Sequence, residues 1–83
     1  MKPRRLLQRI EQGNSANIDF ADLLGLVEAF GFQWVGGKGS HRRYNRSDIA
    51  EGLDFQEDHG QAKPYQVKQL RNMIREHGLR LED

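Results

Sequence analysis

Residues 36–46, GGKGSHRRYNR, place a histidine behind three glycines and a serine and surround it with four cations, Lys38, Arg42, Arg43 and Arg46. An imidazole titrates close to neutrality, so His41 could take or give a proton at physiological pH. Glycine lets the backbone approach a ligand closely and adopt positive φ. Ammonium and guanidinium groups can hold a phosphate and stabilise the charge that builds on it during transfer. RNA carries its own nucleophile, the 2′-hydroxyl, so a base, an acid and cationic stabilisation can cleave it without a metal. By residue type and spacing alone, a solvated basic hairpin explains the same stretch at least as simply.

A second group of cations falls on the segment KPYQVKQLRNMIREH. If residues 64–77 form a helix, Lys68, Arg71, Asn72 and Arg75 share the face opposite the apolar stripe. Lys63 then stands beside the free N–H groups and positive dipole end of the helix start, where phosphate is favoured. An ordinary solvent face carries the same residues, so this stripe alone selects no ligand.

Other chemistry is poorly provided for. The three histidines, His41, His59 and His77, lack metal-ligand spacing, and the chain has no cysteine. GGKGSH does not open a helix, as a phosphate loop must, and no serine sits in a G-x-S-x-G elbow. No metal and no cofactor are expected.

The elements that position these residues follow from hydrophobic period and stop signals. Pro3, the Leu6, Leu7 and Ile10 spacing and Gly13 predict a short helix, followed by a GNSAN loop. Asp19 is the expected N-cap of a second helix over 20–30, with Asp22 as the acidic partner of a capping box. Its stripe is Phe20, Leu23, Leu24, Val27 and Phe30, and Gly31 is the stop. FQWV (32–35), SHRRYNR (40–46) and LDFQE (53–57) read as three antiparallel strands, with SDIAE as a connector and HGQAK as a polar loop. The last helix, 64–77, opens on Pro64, carries Val67, Leu70, Met73, Ile74 and His77 on one face and ends at Gly78. The order α-α-β-β-β-α, with strands grouped between helices, predicts an α+β fold whose sheet is covered on one face.

With 83 residues the chain is one domain with, at most, an added helix. The formal net charge of +1 conceals a strong order. No acid lies between Glu28 and Asp48 or from His59 to Arg75, whereas Asp48, Glu51, Asp54, Glu57 and Asp58 form an acidic block. Such segregation can present a basic face to polyanions, and the acidic strand is expected to face away from it. The N-terminal segment has no apolar run suited to a signal peptide or membrane span, so a cytoplasmic protein is expected.

KGSHRRY, followed after an acidic strand by HGQAKPYQVKQLRNMIREHGL, resembles the HicA family of bacterial toxins. The likeness runs from about Asp19 through Leu79, and its signature is Gly39, Ser40 and His41. His59, Gly60, Lys63 and Pro64 fit the family's pattern as well. The resemblance implies a fold like the double-stranded-RNA-binding domain, a three-stranded antiparallel sheet packed by two helices, over residues 18–83. Residues 1–17 would be an N-terminal helical extension, absent from the shortest family members. It also implies a toxin of a type II toxin–antitoxin system, serving the stress response, that blocks translation as a metal-independent mRNA endonuclease and is neutralised by a HicB-like antitoxin. His41 would be the catalytic acid or base. Lys38, Gly39, Ser40, Arg42, Arg43, Lys63, Lys68 and Arg71 would hold RNA; Tyr44 or Tyr65 could stack on bases, although core or edge packing explains both tyrosines more simply. A non-catalytic RNA-binding module of the same fold is the alternative. The segment RSDIAEGLDFQEDHGQAKP departs from the family, lacking its valine-rich third strand and glycine-lysine run.

Overall fold

In the computed structural model, which describes residues 1–81, the first helix, α1 (Pro3–Glu11), starts on the proline that lacks an N–H to leave unpaired. Leu6 and Ile10, one turn apart, are fully buried, and Leu7 is partly so. The Arg9 guanidinium donates to the carbonyls of Ala16 and Asn17 at 2.7 and 3.3 Å, tying down the loop that follows. Helix α2 (Phe20–Ala29) is capped as expected, with the Asp19 carboxylate accepting the Ala21 N–H at 2.9 Å. Asp22 completes no capping box that involves Asp19; its carboxylate pairs with the Met1 amino group at 3.0 Å. Leu26 is buried along with Phe20, Leu23 and Val27, a wider apolar surface than one stripe, because α2 lies between α1 and the sheet.

The sheet has four antiparallel strands in the order of the chain: β1 (Gln33–Gly36), β2 (His41–Arg46), β3 (Ile49–Asp58) and β4 (Gln61–Ala62). The α+β class stands, but the expected three strands become four, and two of the readings between elements change. The connector SDIAE contributes only Ser47 and Asp48 to a tight turn, held by an Arg46–Asp48 ion pair at 2.9 Å, and β3 already begins at Ile49. The loop HGQAK is a hairpin: His59 and Gly60 take positive φ (52° and 80°), the condition for a two-residue turn that matches strand twist. Gln61 and Ala62 then pair back on Asp58 and Glu57. The chain also closes this end of the sheet itself. Ala62 N–H donates to the Ile18 carbonyl at 2.8 Å and Phe20 N–H to that of Gly60 at 3.0 Å.

Helix α3 (Pro64–His77) runs to Gly78, which takes the left-handed conformation at φ 62°. Val67, Leu70, Met73 and Ile74 pack into the core, while His77 turns outward to Glu51 at 3.5 Å. Gln66, near the helix start, is buried, and its Oε1 accepts the backbone N–H of Gln56 at 2.7 Å. That bond gives β3 a partner just where β4 has run out, satisfying a group whose burial unpaired would be costly. Tyr44 fills the centre of the sheet's helix-covered face, edge-on to Phe55 at 6.1 Å between ring centres. Burial, and then its hydrogen bond to Glu28 at 3.0 Å, push the Tyr44 phenol above its ordinary pKa and keep it a donor.

Residues 1–17 share this core, since Leu6 and Ile10 lie in one cluster with Val27, Phe55 and Leu70. Arg71 of α3 reinforces the junction by donating to the Glu11 carbonyl at 3.2 Å. The last two residues of the 18–83 segment lie outside those described. Among the described residues no helix is long and apolar enough to cross a membrane.

Candidate functional site

The β1–β2 hairpin carries the site, and its turn is built on backbone contact. Gly37, at φ 123°, lies so close to β2 that a Cβ there would come within 2.3 Å of the His41 carbonyl oxygen. No side chain fits that approach. On the other side of the turn, His41 N–H donates to the Lys38 carbonyl at 3.0 Å, and the Glu57 N–H reaches the Ser40 carbonyl at 3.1 Å. His41 is thus the first residue of β2, with its backbone fixed from two directions and its side chain exposed.

Strand alternation decides which groups share a face. Arg42, Tyr44, Leu53 and Phe55 belong to the helix-covered face, with Tyr44, Leu53 and Phe55 buried and Arg42 at its rim. His41, Arg43 and Asn45 point to the open face, together with Asp54 and Gln56 of β3, which pair with Arg43 and His41. The acidic strand therefore does not face away from the basic one. Antiparallel register sets Asp54 directly against Arg43, and their side chains form an ion pair at 2.9 Å.

The structure brings Lys38, Gly39, Ser40, His41, Arg42 and Arg43 together around this hairpin. Among them Lys38 makes no ion pair with the described residues and is exposed, whereas Arg43 is engaged. The start of α3 joins the group across β3. Successive N–H groups of a strand point to opposite sides, so Gln56 bonds Gln66 of α3 while Glu57 bonds Ser40 of the turn. Lys63, the N-cap residue, and the exposed Tyr65 thus lie at the start of α3, on the side of β3 away from the turn. Lys68 is exposed farther along α3. Arg71 stands apart: it is half-buried and directed at the end of α1, so its position is that of a latch between helices.

Of three groups near enough in sequence to exchange protons with His41, two have other partners. Arg43 is held by Asp54, and His59, almost wholly exposed on its turn, binds Asp58 through Nδ1 at 2.7 Å. Lys38 is left. Among the described residues no three His, Cys, Asp or Glu side chains converge as a metal site would require.

Tyr44, one of two aromatics considered for base stacking, is in the core, while Tyr65 is 56% exposed. The exposed aromatic at the hairpin is instead Trp34, at 57%. It lies on β1, an outermost strand of the sheet. No protein family, characterised protein or solved structure matches the chain.

Proposed function

We propose that this chain is a HicA-type toxin, a metal-independent endonuclease that cleaves messenger RNA in the cytoplasm and is silenced by a HicB-like antitoxin. The observation that carries this reading is His41, which the glycine turn fixes by its backbone and leaves exposed on an open sheet face beside Lys38. The motif Gly39-Ser40-His41 and its companion from His59 to Pro64 supply the family resemblance, which also suggests a sheet-and-helix core like that of double-stranded-RNA-binding domains.

In the proposed reaction the 2′-oxygen attacks the neighbouring phosphorus as its proton leaves. The bond from phosphorus to the 5′-oxygen breaks, and that oxygen takes up a proton, leaving a 2′,3′-cyclic phosphate and a 5′-hydroxyl. His41 serves one of the two proton transfers and Lys38, whose carbonyl accepts the His41 N–H, is the candidate for the other and for offsetting charge on the phosphoryl oxygens. Purified protein is expected to cut single-stranded RNA in EDTA, to leave cyclic phosphate ends visible by mass spectrometry, and to spare a strand with 2′-deoxyribose at the cut site. Cleavage that stops in EDTA and returns with a divalent ion would sink the metal-free scheme.

One observation favours the non-catalytic module instead. The His41 ring has no hydrogen-bond partner among the described residues, whereas a catalytic imidazole is commonly oriented by a third group. RNA binding without any cleavage by the wild type would decide for that reading.

The Arg43–Asp54 pair gives an independent test of the face. Both partners are at least half exposed, so the pair contributes only ~0–1 kcal/mol to stability. Asp54→Asn should leave thermal stability nearly unchanged and free Arg43 for phosphate. RNA affinity should rise about threefold at low salt, with the gain fading at high salt. Unchanged affinity in a salt titration followed by fluorescence anisotropy would mean that phosphates do not cross this face.

A further inference from the structure

We propose that Trp34, backed by Arg42, is a stacking platform for one unpaired nucleobase of the RNA that His41 acts on. The inference rests on the RNA reading above and assigns it a base-binding subsite. Trp34 is 57% exposed on the edge strand, yet its ring is held. The indole N–H donates to the Gly36 carbonyl at 2.7 Å, and the Arg42 guanidinium sits 4.5 Å from the ring centre. A large aromatic fixed from both ends and left open to solvent has already lost the freedom that ligand binding would otherwise remove.

Arg42 selects the ligand. A guanidinium over an aromatic ring adds cation–π attraction, and its charge draws a phosphate to the same spot. The only other exposed large apolar side chain on this strand is Val35, so the apolar surface is far smaller than the ~800 Å² per partner of a stable protein contact. A planar base with a phosphate attached fits this mixture of ring and cation. A base within a duplex has both faces covered by its neighbours, so the platform takes an unpaired one.

The position is also suitable. Arg42 follows His41 directly in β2, and their side chains leave opposite faces of the sheet beside the edge strand. An RNA strand crossing the open edge of β1 could set its phosphate against His41 on one face and turn a base onto Trp34 on the other. Stacking would then fix which phosphate meets the imidazole.

Trp34 is the chain's single tryptophan, so its fluorescence reports on this site alone. The test titrates wild-type protein with a 2′-O-methyl oligoribonucleotide, which cannot transesterify, and with a strand of the same length carrying abasic sites. Binding is followed by anisotropy of a label on the strand. The intact strand should quench Trp34 by about half and bind roughly 5- to 100-fold more tightly than the abasic one, the range expected for one stacked base. Trp34→Leu should lose that preference and Trp34→Phe should retain most of it. Binding of both strands with equal affinity and unchanged tryptophan emission would overturn the platform while leaving the RNA reading intact. Absence of binding by either strand would remove both. A concentration-dependent blue shift without RNA, with no quenching when RNA is added, would assign the edge to a second copy of the chain and overturn the proposal.

Discussion

Replacing His41 by alanine is expected to slow RNA cleavage by roughly 10²- to 10⁴-fold, the range associated with a positioned general acid or base. The structure makes this an unusually clean substitution. The imidazole is exposed and has no hydrogen-bond partner among the described residues, while everything that holds residue 41 in place comes from its backbone. Folding and RNA affinity should therefore survive, the melting temperature moving by no more than a few degrees and the dissociation constant by no more than about threefold. In bacteria, induction of the wild type should arrest growth and degrade messengers, and induction of His41→Ala should do neither. The pH–rate profile adds a sharper criterion: one limb of the wild-type profile should be missing from the residual activity of the variant. A variant as toxic and as active as the wild type would take His41 out of the chemistry.

The second large effect is expected at Gly37, which touches no substrate in the proposed scheme. Gly37→Ala must either leave the backbone at φ 123°, where a Cβ is strained, or move the start of β2 away from a 2.3 Å overlap with the His41 carbonyl. Strain of this kind costs about 1–3 kcal/mol and overpacking about as much again. For a domain of this size that lowers the melting temperature by at least roughly 10 °C. Cleavage should fall by about 10²-fold even well below the melting point, because displacing the turn moves the imidazole by the ångström or so that positioning tolerates poorly. Gly39→Ala is the control. Gly39 is also left-handed, at φ 61°, but a Cβ there meets nothing within 4 Å. Its cost should stay near 1 kcal/mol. Equal melting temperatures and rates for the two variants would show that the close approach at Gly37 does not set the geometry of the turn.

The helices could be read from the sequence because their boundaries are written in local chemistry: prolines at the first positions of α1 and α3, Asp19 as a cap and Gly78 as a stop. The strands were less legible. Ile49 to Glu51 looked like a connector because one acid and an alanine mask the one inward side chain, Ile49. The fourth strand is two residues long, too short for any period to register, and its turn uses His59 where Asn or Asp would have signalled it. At the site, the glycines and cations around His41 could be read directly. The pairing of Arg43 with Asp54 could not, since it depends on the register between strands, and the segregation of charge along the chain suggested the opposite. Arg71 and Trp34 were hidden for one reason: burial depends on which neighbours arrive from elsewhere. Helix α1 arrives over Arg71, whereas only the Arg42 guanidinium reaches Trp34, which stays more than half exposed.

The two borders of the sheet also differ in what they allow at high concentration. The β4 border is occupied by the segment from Ile18 to Phe20, whereas β1 is the outermost strand on the other side. A sheet with one free border can accept a single additional strand, after which no template is left on either side. Growth by strand addition would therefore stop at a pair, and a fibre would first require residues 18–20 to peel away. The loop stapled down by Arg9 thus serves solubility as well as packing, because it makes the fold a terminator of its own polymerisation.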